Sequence, residues 1–280
     1  MAKAAQVLYP GQIDPGDPAK NPPDYTWRIL AAGDSWFSFG SWRLQNLLAQ
    51  LRFDKDTFIV QLAQPGDTIT RMSDICKNPA LAMQLDTRWG YDYHAVLLSG
   101  GGNDVIDQAA KIIPPSARKQ AAGKPPEDYC DAKALKKTLK AVADGFAQVI
   151  DLRDGPKSPC KGVPLVSHAY DLATPRNAPA AFLSLQLGPW LFPAMTGAKI
   201  PKGEWNAVSD YVLGALAGQL IALESTLPTF HVARSQGTLK RADPDTTGVS
   251  NDWDNEIHPT KAGYVKIGKT INAVMNPLLP

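Results

Sequence analysis

Leu30-Ala-Ala-Gly-Asp-Ser-Trp36 is the stretch on which the reading of this chain turns. Trp27-Arg-Ile-Leu-Ala-Ala32 is an apolar run of strand length. Gly33, Asp34 and Ser35 interrupt it, and Leu44, Leu47, Leu48 and Leu51 then recur at helical spacing, predicting a helix over about 42–52. A serine hydroxyl is thereby placed at the C-terminal end of a strand, the edge where open α/β sheets gather ligands and reacting groups.

Outward from that point the pattern repeats. Thr57-Phe-Ile-Val-Gln-Leu62, His94-Ala-Val-Leu-Leu-Ser99, Val163-Pro-Leu-Val-Ser-His168 and Thr229-Phe-His-Val-Ala233 are further short apolar runs. Runs of this kind suit strands buried on both faces. Helices are predicted between them over 70–85, from Leu135 to Ile150 and from Val208 to Leu223, and after them over about 261–274. Five strands alternating with helices predict a doubly wound α/β domain over 27–280, with a five-stranded parallel sheet and right-handed crossovers. Residues 1–26, rich in Pro, Gly and Asp, read as an irregular lead-in. Two stretches read as insertions, a Pro/Lys/Ala/Gly-rich lid over about 105–132 and a Pro/Gly/aromatic-rich pocket wall over about 173–205.

Composition narrows the function classes. The chain has 280 residues and a formal net charge of +2, without the dense basic stripe of a nucleic-acid binder. Lys133, Lys136, Lys137 and Lys140 read as the solvated face of a helix. No run of about 18 apolar residues is present, so no membrane span is expected. Met1 to Pro10 lacks the apolar core of a signal peptide, which points to the cytoplasm, with export open if a signal was removed. Cys76, Cys130 and Cys160 are odd in number and widely spaced, which suits incidental thiols and no zinc site; a Cys130–Cys160 bridge is the alternative for an exported chain. No H-E-x-x-H and no phosphate-loop lysine occurs, so neither a metal nor another cofactor is expected. The G-x-S-x-G elbow fails at Phe37, and the S-x-x-K matches at Ser116 and Ser158 fall in Pro/Lys-rich loops.

In a parallel sheet every strand points the same way. Ser35 after the first strand, Gly66 after the second, Asn103 after the third and His258 after the fifth therefore share one edge. Acyl transfer needs these parts: a weak hydroxyl nucleophile, a base titrating near neutrality, and preorganised donors for an oxyanion. The backbone N–H groups of Ser35 and Gly66 and the side-chain amide of Asn103 are the candidate donors.

Gly33-Asp-Ser35, Gly66, Gly102-Asn-Asp104 and His258-Pro259 resemble, in order, the four sequence blocks of the SGNH hydrolases, the GDSL-like lipase/esterase family. The resemblance spans positions 33 to 258. It implies a three-layer, flavodoxin-like α/β/α fold and a serine ester hydrolase with Ser35 as nucleophile, His258 as base, and Ser35, Gly66 and Asn103 as the oxyanion hole. One position departs from it. The family's last block usually reads Asp-x-x-His, and Asn255 stands three before His258. Either Asn255 orients the imidazole, or Asp252 or Asp254 reaches it. Trp190 and Phe192 are candidate substrate-binding residues. His168, at the end of the fourth strand, either shapes the pocket with Tyr170 and Asp171 or is structural. The expected substrate is a small-molecule, lipid or acylated-sugar ester, with thioesterase and lysophospholipase activity as alternatives. The contrasting class is a binding protein that kept the fold and lost turnover. Oligomeric state is left open.

Overall fold

The structure is a computed structural model, and it describes residues 2–13, 25–39, 45–86, 91–182 and 185–280. Among these, the central sheet has six parallel strands: β1 (Gln6–Leu8), β2 (Trp27–Gly33), β3 (Thr57–Gln61), β4 (Ala95–Ser99), β5 (Leu165–His168) and β6 (Phe230–Ala233). Their order across the sheet is β6-β5-β4-β2-β3-β1. Leaving out β1, this is the flavodoxin-like doubly wound order, in which the winding reverses beside the first strand of the wind. That strand is β2. It pairs with β3 on one side and β4 on the other, Leu30 lying opposite both Val60 and Val96. Ser35 therefore emerges at the switch point.

Strands β3 and β4 are buried throughout, as their unbroken apolar runs require. Helices pack against one another and the sheet in two groups. Ala132–Arg153 lies against Ile69–Met72 and Trp205–Leu223, whereas Lys261–Met275 packs on β6, β5 and the turn Leu48–Gln50. The three long helices are the amphipathic or apolar runs legible in the sequence. Trp205–Leu223, with the three residues before it, is also apolar and long enough by length and composition alone to cross a bilayer. Nine of its side chains are buried, Val208, Leu216 and Leu220 completely, so here it is a core helix.

Several expectations are corrected. The lead-in carries a sixth strand: Gln6, Val7 and Leu8 pair with Phe58, Ile59 and Val60 along the sheet edge. Three residues are too short a run to announce themselves before their partner strand is placed. The helix expected over 42–52 reduces to a single 3-10 turn, Leu48–Gln50, among its described residues; 42–44 lie outside them. Leu47, Leu48 and Leu51 are nonetheless fully buried, so the apolar spacing reported burial and not helix. The helix expected over 70–85 is two short ones, Ile69–Met72 and Pro79–Gln84. Pro79 lacks an N–H and disfavours helical geometry at Asn78, and so it begins a new helix instead of continuing the old one.

The segment 105–132 folds back onto the body. Ser116 N–H donates to Gly197 O (3.1 Å), Gln120 N–H to Lys199 O (3.1 Å) and Asp131 N–H to Ile112 O (2.7 Å). Within 173–205 the chain forms a hairpin, Ala180–Phe182 with Leu185–Leu187, and a short helix, Phe192–Gly197. The three cysteines are free thiols.

Candidate active site

Ser35 opens a four-residue helix whose N-cap is Asp34. The Asp34 carboxylate accepts from Trp36 N–H (2.9 Å), fixing the turn. The N–H of Ser35, first in that helix, has no acceptor within it. Beneath the turn lies a buried polar network. Asp34 Oδ1 accepts from Ser99 Oγ (2.8 Å), Tyr170 OH donates to Asp34 Oδ2, and His168 Nε2 meets Ser99 Oγ at 2.9 Å. Burial pushes the Asp34 carboxyl up to about 6 against the pull of these hydrogen bonds. Gly102 makes room for this arrangement, because a Cβ there would lie 2.7 Å from the Tyr170 ring.

His258 is brought to Ser35 by the loop after β6. His258 Nε2 lies 2.8 Å from Ser35 Oγ, and Nδ1 lies 2.9 Å from Asn255 Oδ1. The same Oδ1 also accepts from the backbone N–H groups of Ile257 (3.2 Å) and His258 (3.0 Å). Those two N–H groups can only donate, so the atom facing them must be the amide oxygen. An oxygen acceptor at Nδ1 requires Nδ1 to carry the proton, which leaves the Nε2 lone pair aimed at the serine hydroxyl. In a serine protease, replacing the triad Asp by Asn costs about 10⁴ in turnover, chiefly through the wrong tautomer. Here the loop backbone enforces the tautomer a base needs.

The imidazole is nearly sealed. Phe39 stacks on it (ring centroids 4.9 Å apart, 18° between planes) and Trp190 meets it edge-on (5.4 Å, 77°). Burial, unrelieved by any partner charge, pushes the His258 pKa down to about 3. The ring is thus held neutral. Trp36 ties the two halves together, its indole N–H donating to Ile257 O (3.0 Å).

The candidate anion donors come from the neighbouring strand ends. Asn103 donates from Nδ2 to Asp67 O (2.9 Å), which binds its helix to the turn carrying Gly66 and leaves the second amide hydrogen unused in that bond. Gly66 has φ +77°, the left-handed region that only glycine enters without strain. A Cβ at Gly66 would meet nothing within 4 Å, so backbone conformation and not crowding by the protein explains the glycine.

Ser35 and Asn103 border a small pocket of about 30 Å³ lined by Ile106, Ala173, Leu191, Leu213 and Trp253. Of the residues singled out from the sequence, Ser35, His258, Asn255, Asn103 and Trp190 come together here. Others do not. Asp252 accepts instead from Lys240 N–H (2.6 Å) and Lys266 Nζ (2.6 Å), so its carboxylate belongs to an ion pair away from the imidazole. Asp254 is exposed, and its carboxylate accepts from Asn255 Nδ2 (3.4 Å), on the side of that amide away from the imidazole. Phe192 packs on Trp205 (5.5 Å, 85°), and its neighbour Leu191 lines the pocket in its place. His168 is fully buried below the Ser35 turn, stacked on Trp36 (5.2 Å, 11°), with burial pushing its pKa down to about 4. It is a structural member of the Asp34 network and makes no pocket wall. Ile106 was missed because it falls where the sequence reads as a Pro/Lys/Ala/Gly-rich lid, and Leu213 because it lies in a helix whose apolar residues read as ordinary core.

No family model and no curated protein matches the sequence. Solved structures do overlap it. The inhibitor-bound aryl esterase of M. smegmatis is 15% identical with a TM-score of 0.47, over 91% of this chain and 100% of that one. Est24, a carbohydrate acetylesterase from Sinorhizobium meliloti, is 15% identical at 0.44, over 91% and 100%. TesA is 13% identical at 0.45, over 90% and 99%. At such identities none of these names transfers to this chain.

Proposed function

We propose that the protein hydrolyses carboxylic esters through an acyl-enzyme on Ser35. The observation that carries this reading is the Ser35–His258–Asn255 relay, 2.8 Å and 2.9 Å long, with its tautomer fixed by two backbone donors. Nε2 takes the hydroxyl proton as Oγ adds to the ester carbonyl. The carbonyl oxygen becomes an oxyanion held by Ser35 N–H, Gly66 N–H and Asn103 Nδ2. The intermediate collapses, the C–O bond to the alcohol breaks, and the imidazolium returns its proton to the leaving oxygen. Water, deprotonated by the same Nε2, then releases the carboxylic acid. Burial makes the imidazolium costly, and Asn255 brings it no charge. The oxyanion forming beside it is its counter-charge.

Asn103→Ala removes one oxyanion donor and is expected to lower kcat by about 10²–10³-fold with little change in KM. Steady-state kinetics on p-nitrophenyl acetate check it.

The pocket beside Ser35 is apolar and, at about 30 Å³, well below the usual size of drug-sized ligand sites. A short acyl chain suits it, which favours an esterase of acetyl to butyryl groups over a lipase of long chains. A panel of p-nitrophenyl esters is expected to show kcat/KM falling by tenfold or more between butyrate and decanoate. The reading as a whole is tested by the same panel with a fluorophosphonate probe. Absence of hydrolysis together with no covalent adduct on Ser35 would leave the binding-protein reading in its place.

A further inference from the structure

Glu256 is a buried carboxylate, 1% exposed, lying between Asn255 and Ile257 in the loop that delivers His258. It takes no part in the relay. Its side chain reaches across to the 173–205 wall, where four backbone N–H groups converge on it. Oε1 accepts from Arg176 (3.1 Å) and Phe192 (2.7 Å); Oε2 accepts from Leu191 (2.9 Å) and Trp190. The donors are the two ends of one excursion of the chain, residue 176 where it leaves and residues 190–192 where it returns. A single carboxylate therefore closes the base of that excursion. Burial raises the Glu256 pKa, and the four N–H bonds pull it back.

A second tie runs the other way. Arg176 is itself fully buried, and its guanidinium donates from Nη2 to Asn255 O (2.7 Å) and from Nη1 to Thr246 O (3.1 Å). Glu256 N–H also donates to Ala178 O (2.9 Å). The wall and the catalytic loop are thus cross-linked in both directions. What the wall presents is specific. Trp190 lies edge-on to the His258 ring, and Leu191 and Ile257 both border the acyl pocket.

We propose that Glu256 is a positioning residue that sets selectivity for acyl chain length, by holding Trp190 and Leu191 in register with Ser35 and His258. This rests on the ester-hydrolase reading for its kinetic consequence, but the clamp itself is a structural statement. Four N–H groups on one carboxylate use its full acceptor capacity. Glu256→Gln keeps the shape and turns one oxygen into an NH₂ group, which faces two donors and displaces them. Glu256→Asp keeps the charge and shortens the reach.

The test compares both variants with the wild-type chain in two readouts. In steady-state kinetics on p-nitrophenyl acetate and octanoate, Glu256→Gln is expected to raise KM for acetate about tenfold with kcat within about threefold. It should also narrow the acetate-to-octanoate kcat/KM ratio by about tenfold, and Glu256→Asp should restore part of that ratio. In amide hydrogen exchange, the peptide containing Trp190–Phe192 should lose protection in Glu256→Gln, while peptides from β2 and β4 keep theirs. An unchanged ratio, or a uniform fall in kcat for both esters with a matching loss of melting temperature, overturns the proposal. Unchanged exchange at 190–192 overturns it too, whether or not the wild-type chain hydrolyses esters. Inactivity of the wild-type chain by itself counts against the hydrolase reading and leaves exchange to decide the clamp.

Discussion

Ser35→Ala is expected to abolish the proposed ester hydrolysis, with kcat falling by roughly 10⁵–10⁶-fold, the scale seen when a serine hydrolase loses its nucleophile. The fold has little reason to change. Ser35 sits at the first position of a short helix, where alanine is well tolerated, and among the described residues its Oγ bonds only His258. The Asp34 network beneath it does not use the Ser35 side chain. Circular dichroism and melting temperature should therefore match wild type while p-nitrophenyl acetate turnover and fluorophosphonate labelling both disappear. Retained turnover in this variant would sink the nucleophile assignment outright.

The second large effect belongs to Asn255. Asn255→Leu deletes an acceptor that serves His258 Nδ1 and two backbone N–H groups. The base then loses both its tautomer and its orientation, and kcat is expected to fall about 10³–10⁴-fold. Leaving two buried N–H groups unpaired should also lower stability, by about 1–3 kcal/mol for each. Asn255→Asp separates the two consequences. It keeps the acceptor and adds a charge that favours the imidazolium, so the His258 pKa rises from its burial-depressed position near 3. In the proposed mechanism the neutral ring is the active base. Raising its pKa therefore moves the acid limb of kcat/KM to higher pH, while turnover at pH 8 is retained. In the wild-type chain His258 is expected to place no limb near the ordinary imidazole value of 6.5. Asp252→Asn should leave turnover within about threefold, because that carboxylate is engaged by Lys240 N–H and Lys266. Loss of activity there with no effect at Asn255 would reverse the assignment.

The edge that carries the candidate site was legible from local pattern because a parallel sheet has a direction. Once β2, β3 and β4 are read as strands of a wound α/β chain, the residues that follow them must meet at one edge. Helices longer than four turns were legible for a similar reason, since an apolar stripe sustained from Leu135 to Ile150 has few alternatives. Short elements were not. Leu47, Leu48 and Leu51 are buried whether the backbone coils into a helix or a single turn, and burial is all that spacing records over so few residues. β1 exists only because Thr57–Gln61 leaves an edge for Gln6–Leu8 to pair with.

Sequence by itself determined the strand order's consequences: a hydroxyl, an imidazole, a glycine turn and a carboxamide on one edge. Tertiary structure alone decided which acidic or amide side chain stands behind the base. Asn255, Asp252 and Asp254 lie within three residues of one another in an irregular loop, and no periodicity says where each points. The choice is made by distant partners: Lys240 and Lys266 draw Asp252 away, and the N–H groups of Ile257 and His258 turn the Asn255 oxygen toward the ring. The same holds for Glu256. Nothing in the sequence singles its carboxylate out, and only the return of residues 190–192 through space sets it at the base of the pocket wall.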